Sequence, residues 1–430
     1  MLLFITIVFG VLLILGLPIA FVMGLTTLFS FFSLGNPSLY SLIPQRMYSG
    51  MANFVLIAIP FFIMTGVVMT KSGITRELVR FSNLIVGRLR GGLAHINIVS
   101  SVLFAGLSGS AASDAASIGS ILIPAMTEEG YDLDFSASVT ASSAAIGPVI
   151  PPSVIMIIYA SLMDVSVAGL FLAGYAPGIL IALGLMILSY MMSKKRDYPI
   201  HSSKITRREF YEASRGAILP LILPIIIIAG ILFGVFTPTE ASVVAAAYAL
   251  VLGFFVKRTI KLRDIPEILR ITMKTSSLIL FVIGTGVAFG WILSYEQIPQ
   301  KLATVMITFS GDNYYLTLFL ILIVLFLAGM FMDTAVSIVV LGPLLLATAL
   351  QIGVHPLHFA MIMCLSLTVG LITPPLGLVL FVVCGVTNLK LEQLCKAMVP
   401  FVFIELIVIL IITYIPVITM TIPKIFGFYP

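Results

Sequence analysis

Two short runs hold most of the polar chemistry of an otherwise apolar chain. The first, Leu103 to Ser153, opens LFAGLSGSAASDAAS and closes SAAIGPVIPPS. Its Ser108, Ser110 and Ser113 hydroxyls and its Asp114 carboxylate are the hard oxygen donors that hard cations take. Gly147, Pro148, Ile150 and Pro151 add backbone carbonyls. Pro151 and Pro152 lack an N–H, and each disfavours helix in the residue before it, so the chain unwinds there. Backbone freed at membrane depth persists only where it lines a cavity or is buried in protein. These eight residues form a candidate sodium site. The competing reading is that the serines and glycines only let helices approach closely.

A second run repeats the pattern. Leu325–Ala347 reads LFLAGMFMDTAVSIVVLGPLLLA, and Ser366–Val383 reads SLTVGLITPPLGLVLFVV. Gly329, Met332, Asp333, Thr334, Gly370, Thr373 and Pro374 make a second candidate sodium site, with fewer hydroxyls and more carbonyls. Each aspartate costs about 2.5–3.5 kcal/mol at mid-membrane, and each precedes a returning helical arm, so N-capping is a compatible alternative. A substrate carboxylate would be met by half-helix N-termini after the breaks, at Ser153 and Leu376. Ser142, Ser143, Pro152 and Ser153, with Ser366, Thr368 and Pro375, are the candidate substrate residues. No intramembrane arginine clearly takes that role.

The spacing of the two runs is nearly constant. Asp114 and Pro124 map onto Asp333 and Pro343 with 333 − 114 = 343 − 124 = 219. Gly147, Pro151, Pro152 and Pro177 map onto Gly370, Pro374, Pro375 and Pro400 with 370 − 147 = 223. Pro18 and Thr65-Gly66 map onto Pro238 and Thr285-Gly286 with 238 − 18 = 220. Paired interrupted segments in two apolar halves point to the binding site of a secondary transporter.

Of 430 residues, 60% are hydrophobic and 10% charged, and the mean hydropathy is +1.19. That balance excludes a soluble domain and indicates a polytopic membrane protein. Cys364, Cys384 and Cys395 lack metal-ligand spacing and read as buried or interfacial thiols. His95, His201, His355 and His358 read as loop or helix-end residues. Met1 onward reads as a mature span with no signal peptide.

The fold expected is all-α, a polytopic membrane protein of two inverted-topology repeats. Each repeat has a re-entrant hairpin and a Pro-broken transmembrane helix. Residues 1–92 hold first-half scaffold helices, split at Gly16-Leu17-Pro18 and followed by a loop at Asn36-Pro37, and an amphipathic arm, Ile74–Leu89. Residues 93–163 hold the first hairpin and broken helix, 164–192 a span, and 193–216 a polar linker. Residues 217–312 hold second-half scaffold helices, with a basic interfacial helix at Lys261–Lys274, a separate span at Ser276–Ser294 and an arm at Glu296–Phe309. Residues 313–386 hold the second hairpin and broken helix, and 387–430 the last span and tail. With the linker, Lys204 included, in the cytoplasm, only Arg46, Lys301 and Lys424 lie outside, so 23 − 3 = 20 Lys and Arg face inward. The positive-inside rule then places both termini, Met1 and Pro430, in the periplasm.

AIPFFIMTGVVMTKSGI (Ala58–Ile74), AGLSGSAASDAASIGS (Ala105–Ser120), SSAAIGPVIPPSVIMIIYA (Ser142–Ala160) and FTPTEASVVAAAYAL (Phe236–Leu250) resemble the large, DctM-like membrane subunit of TRAP transporters. These are the tripartite ATP-independent periplasmic systems of bacteria. The resemblance covers essentially the whole chain. It implies a sodium-driven importer of organic acids, of the sialic acid or C4-dicarboxylate class, in the bacterial inner membrane. It further implies an elevator motion of the hairpins and broken helices against a scaffold, with Na+ as the coupling ion. The implied partners are a small four-helix membrane subunit, here as a separate chain, a soluble periplasmic substrate-binding protein and the lipid bilayer, with no nucleic acid. The chain is expected not to be an enzyme. An intramembrane aspartyl protease is the first alternative, yet neither aspartate has a Tyr-Asp or Gly-x-Gly-Asp context. An ion channel is the second, yet no span carries a continuous polar stripe.

Overall fold

The computed structural model describes residues 2–35, 37–199 and 206–428. Met1, Asn36, His201, Lys204 and Pro430 lie outside the described residues. The described chain is helical, without strands.

The first half runs α1 (Leu2–Ile14), α2 (Ile19–Ser33), α3 (Leu42–Met51), α4 (Ala58–Lys71) and α5 (Ile74–Val86). The α1–α2 break falls where Gly16 takes φ 77° and Pro18 precedes α2. A hairpin follows, α6 (Gly92–Ser108) and α7 (Ala111–Glu128). Two half-helices, α8 (Leu133–Ala144) and α9 (Val154–Met163), flank the Gly-Pro-x-x-Pro-Pro break, and α10 (Val167–Lys195) ends the half.

The second half has α11 (Arg207–Leu232), α12 (Pro238–Val251), α13 (Ile265–Tyr295) and α14 (Ile298–Phe309). Its hairpin is α15 (Tyr314–Phe331) with α16 (Thr334–Gln351), and its half-helices are α17 (Pro356–Gly370) and α18 (Leu378–Thr387). Then come α19 (Leu391–Tyr414) and α20 (Val417–Ile425). The chain is thus an all-α polytopic protein of two repeats. Among the described residues, eight helices are long and apolar enough to span a bilayer.

Several boundaries differ from the expectation. Lys261–Lys274 and Ser276–Ser294 are not two elements: from Ile265 onward they form one 31-residue helix. Lys274-Thr275-Ser276 contains neither Gly nor Pro, so nothing interrupts the backbone ladder. Much of the described linker is helical too, because α10 runs to Lys195 and α11 begins at Arg207. There Thr206 accepts from the Glu209 N–H and Glu209 accepts from the Thr206 N–H, a reciprocal cap. The helices α3 and α20 were not anticipated.

The amphipathic α5 buries Ile74, Leu78 and Val86 against α6 and α11. Its Glu77 pairs with Lys257, while Lys71 at the end of α4 pairs with Glu267 of α13. These pairs cross-tie the two halves. Glu240 completes a cap at the start of α12 with Thr237.

Candidate functional site

Each hairpin tip meets the break of its own half, and glycines make the approach possible. After Ser108, Gly109 turns the chain at φ 59° and Ser110 is extended at the start of α7. A Cβ on Gly109 would lie 2.9 Å from the Pro152 carbonyl oxygen. In the second half a Cβ on Gly329 would lie 2.7 Å from the Leu367 oxygen, and one on Gly370 2.5 Å from the Gly329 Cα. Only glycine permits backbone to touch backbone this closely. Both breaks hold a cis Pro-Pro bond, Pro151-Pro152 and Pro374-Pro375.

Asp114 is fully buried. The Ser108 hydroxyl donates to its Oδ1, and the Ser110 N–H donates to the Ser108 oxygen at 3.3 Å. Its Oδ2 has no partner among the described residues. That oxygen faces Gly147, where an added Cβ would collide with it. Within the break, Ser153 donates to the Pro148 carbonyl at 2.5 Å and caps α9 by accepting from the Met156 N–H. Ile150 packs on Gly178 of α10. In the second half, Asp333 caps α16 by accepting from the Ala335 N–H at 2.9 Å. It keeps open surface, whereas Asp114 has none. The Met332 N–H reaches the Ala328 carbonyl, and Thr373 donates to the Val369 oxygen at 2.8 Å.

The two aspartates therefore are not equivalents, although the 219-residue offset pairs them. The helix ends give another register: 334 − 111 = 223 and 351 − 128 = 223 for α7 against α16. In that register Ser110 corresponds to Asp333, and Asp114 to Ser337. Ser110 and Asp333 both precede the first helical residue or adjoin it. Asp114 and Ser337 are both buried, each with an oxygen unpartnered among the described residues. Each tip carries one carboxylate, displaced by one turn between the halves. Asp114 lies inside α7, so it is not the N-cap that its sequence position suggested.

A cavity of about 560 Å³ gathers both tips. Ser108, Ser110, Ser113 and Pro148 line it from the first half, and Asp333 and Thr334 from the second. Its other wall is α4 and α13, at Ile63, Gly66, Val67, Thr275, Leu278 and Val282. Gly66 lets α4 sit against Ser108, with a built Cβ 3.3 Å from the Ser108 Cα. Sequence reading missed this apolar wall, which has no local signal except the repeated Thr-Gly pair that contains Gly66.

Four candidate substrate residues lie elsewhere. Ser142, Ser366 and Thr368 donate to carbonyls of their own helices, at Ser138, Ile362 and Cys364. Ser143 donates to Asn97, receives from Ser101, and so joins a buried network between α6 and α8. None of the four lines the cavity, and neither do Pro152, Ser153 and Pro375. Pro152 abuts Gly109 at the tip contact, and Pro375 follows Pro374 within the second break. His358 bridges α17 to Thr419 of α20 and to the Thr413 carbonyl.

Residues 6–418 match the family described as Tripartite ATP-independent periplasmic transporter, DctM component. The chain is 38% identical over 414 residues to the sialic acid TRAP transporter large permease protein of Vibrio cholerae, covering 96% of each. It is 37% identical over 382 residues to the C4-dicarboxylate TRAP transporter large permease protein of Pseudomonas aeruginosa, covering 89% of each. The fold resembles the YdaH transporter of Alcanivorax borkumensis, with TM-score 0.66 and 14% identity, over 91% of this chain and 90% of that one. By the span and identity of these matches, this chain belongs to the DctM component family of tripartite ATP-independent periplasmic transporters.

Proposed function

We propose that the chain imports an organic acid, of the sialic acid or C4-dicarboxylate class, across the bacterial inner membrane by sodium-coupled elevator transport. One observation carries the reading: both hairpin tips and the first break converge on a single cavity whose opposite wall is the long helices α4 and α13. A site shared by two inverted halves has two near-equivalent packings, one open to each side. In this reading α6–α9 and α15–α18 move, while α1, α2, α4 and α11–α13 form the frame. Both termini are periplasmic and the 193–216 linker is cytoplasmic. The cavity reaches α13 at Ile271 and Thr275, near its basic end, so it opens toward the cytoplasm.

Sodium enters as a co-substrate. The unpartnered Asp114 Oδ2 beside the Gly147 backbone fits a cation, with Ser108 as a further oxygen donor. Asp333, Thr334 and the Gly370–Pro374 carbonyls supply oxygens in the second half. A small membrane subunit packs on the frame, and a soluble binding protein delivers the ligand. The test is uptake of labelled N-acetylneuraminate and of succinate into proteoliposomes holding the complete system. Uptake of one of them that requires a sodium gradient supports the reading. Equal uptake with potassium alone contradicts sodium coupling.

A further inference from the structure

A second cavity, about 250 Å³, lies further along α13 and is lined by Arg46, Gly290, Trp291, Ser294, Val339 and Pro343. It occupies the same seam as the large cavity. Asp333 and residues 334–336 of α16 line the large cavity, and Val339 and Pro343 of α16 the small one. Within the small cavity's lining Gly286 of α13 meets Val339 so closely that any Cβ there would collide. Both residues line the small cavity, at its end nearer the large one along α13 and α16.

The small cavity carries what the large one lacks, a lining cation. The Arg46 guanidinium lies over the Trp291 ring at 5.8 Å, and that ring is held by Phe31 edge-on and Tyr295 stacked. Stacking on an aromatic face orients a guanidinium while leaving N–H donors at its edge for an oxyanion. Among the described residues no carboxylate forms an ion pair with Arg46. Gly290 has nothing within 4 Å of a built Cβ, so that wall is open. An unneutralised cation focused in a cleft attracts anions and raises their local concentration.

We infer that this cavity is a reception site for the carboxylate of an organic anion on the periplasmic side, with Arg46 as its recognition residue. The side rests on the transport reading above. The anion is held there until the Gly286–Val339 contact opens and the hairpin domain presents its own cavity.

The test places Ser294→Cys in the full chain, with Cys364, Cys384 and Cys395 each changed to Ala, in sealed membrane vesicles of known sidedness. Two thiosulfonate reagents of similar size are compared, one bearing a sulfonate and one an ammonium. Arg46→Gln should lower the anionic-to-cationic rate ratio by about fivefold, and Arg46→Lys should retain most of it. In the uptake assay Arg46→Gln should raise the half-saturating substrate concentration about tenfold, with sodium dependence intact. An unchanged reagent ratio in Arg46→Gln overturns the inference, and so does labelling from the cytoplasmic side alone. Failure of the native chain to show sodium-driven uptake refutes the transport reading alone, since the reagent ratio is measured without a gradient.

Discussion

Asp114 Oδ2 and Asp333 pose different tests, because one carboxylate is sealed and the other also caps a helix. Asp114→Asn removes charge while keeping shape, and sodium-stimulated uptake should fall at least about tenfold, the equivalent of roughly 1.4 kcal/mol in ion affinity. Gly147→Ala should act similarly, because its methyl group meets the same oxygen. Initial uptake rates against sodium concentration check both, and unchanged curves would remove Asp114 from the ion site. Asn caps helices as well as Asp does, so Asp333→Asn leaves α16 intact and reports the charge alone. Asp333→Ala adds the loss of the cap, about 0.5–2 kcal/mol, visible as a lower melting temperature in detergent. The sequence singled out these two acids but paired them with each other, since matching residue types outweighed helix register. Pairing Asp114 with Ser337 needs the helix ends. The hydroxyls at Ser142, Ser366 and Thr368 turn away from the cavity for a related reason. In a membrane helix a hydroxyl satisfies itself on the carbonyl four residues back, a destination that residue type does not reveal.

Hairpins and broken helices were readable because Gly and Pro act locally on the backbone. Both breaks and both tips fall within a few residues of the expected positions. The continuity of α13 was not readable, because its charge pattern changes at Lys274 while the helical ladder is indifferent to charge. Ser277→Pro should therefore destabilise the protein by about 3 kcal/mol and abolish folded yield in size-exclusion chromatography, with Ser277→Ala near the parent. Normal yield of the proline variant would mean two elements joined at a flexible point. At the far end of α10, the Tyr198 hydroxyl donates to Asp132 Oδ2 at 2.7 Å, and Arg196 donates at 2.7 Å. Foremost the Tyr198 bond, then Arg196, holds the Asp132 carboxyl below its usual range. A depressed folded pKa stabilises above the unfolded value, about 3.9, and the contribution is lost as pH falls through the folded value. Tyr198→Phe should therefore melt earlier than the parent at pH 7, with the deficit shrinking below about pH 4.

At the scale of the whole molecule, the seam between the hairpin core and the α4–α13 wall holds the large cavity, the small cavity and the glycine contacts. Gly66 and Gly286, the repeated Thr-Gly positions, both lie in it, one against Ser108 and the other against Val339. The repeat predicted two symmetric segments; only the tertiary structure shows that their partners are the hairpins. An elevator slides along this seam, whereas a local gate leaves it fixed. The most direct measurement is a reversible cross-link between Val67→Cys on α4 and Ala112→Cys in α7 beside the first tip, both lining the large cavity, on a background with Cys364, Cys384 and Cys395 each changed to Ala. Sodium-driven uptake should vanish when the cross-link is complete and return on reduction, with ligand binding retained throughout. Undiminished uptake through a complete cross-link would contradict a moving hairpin domain.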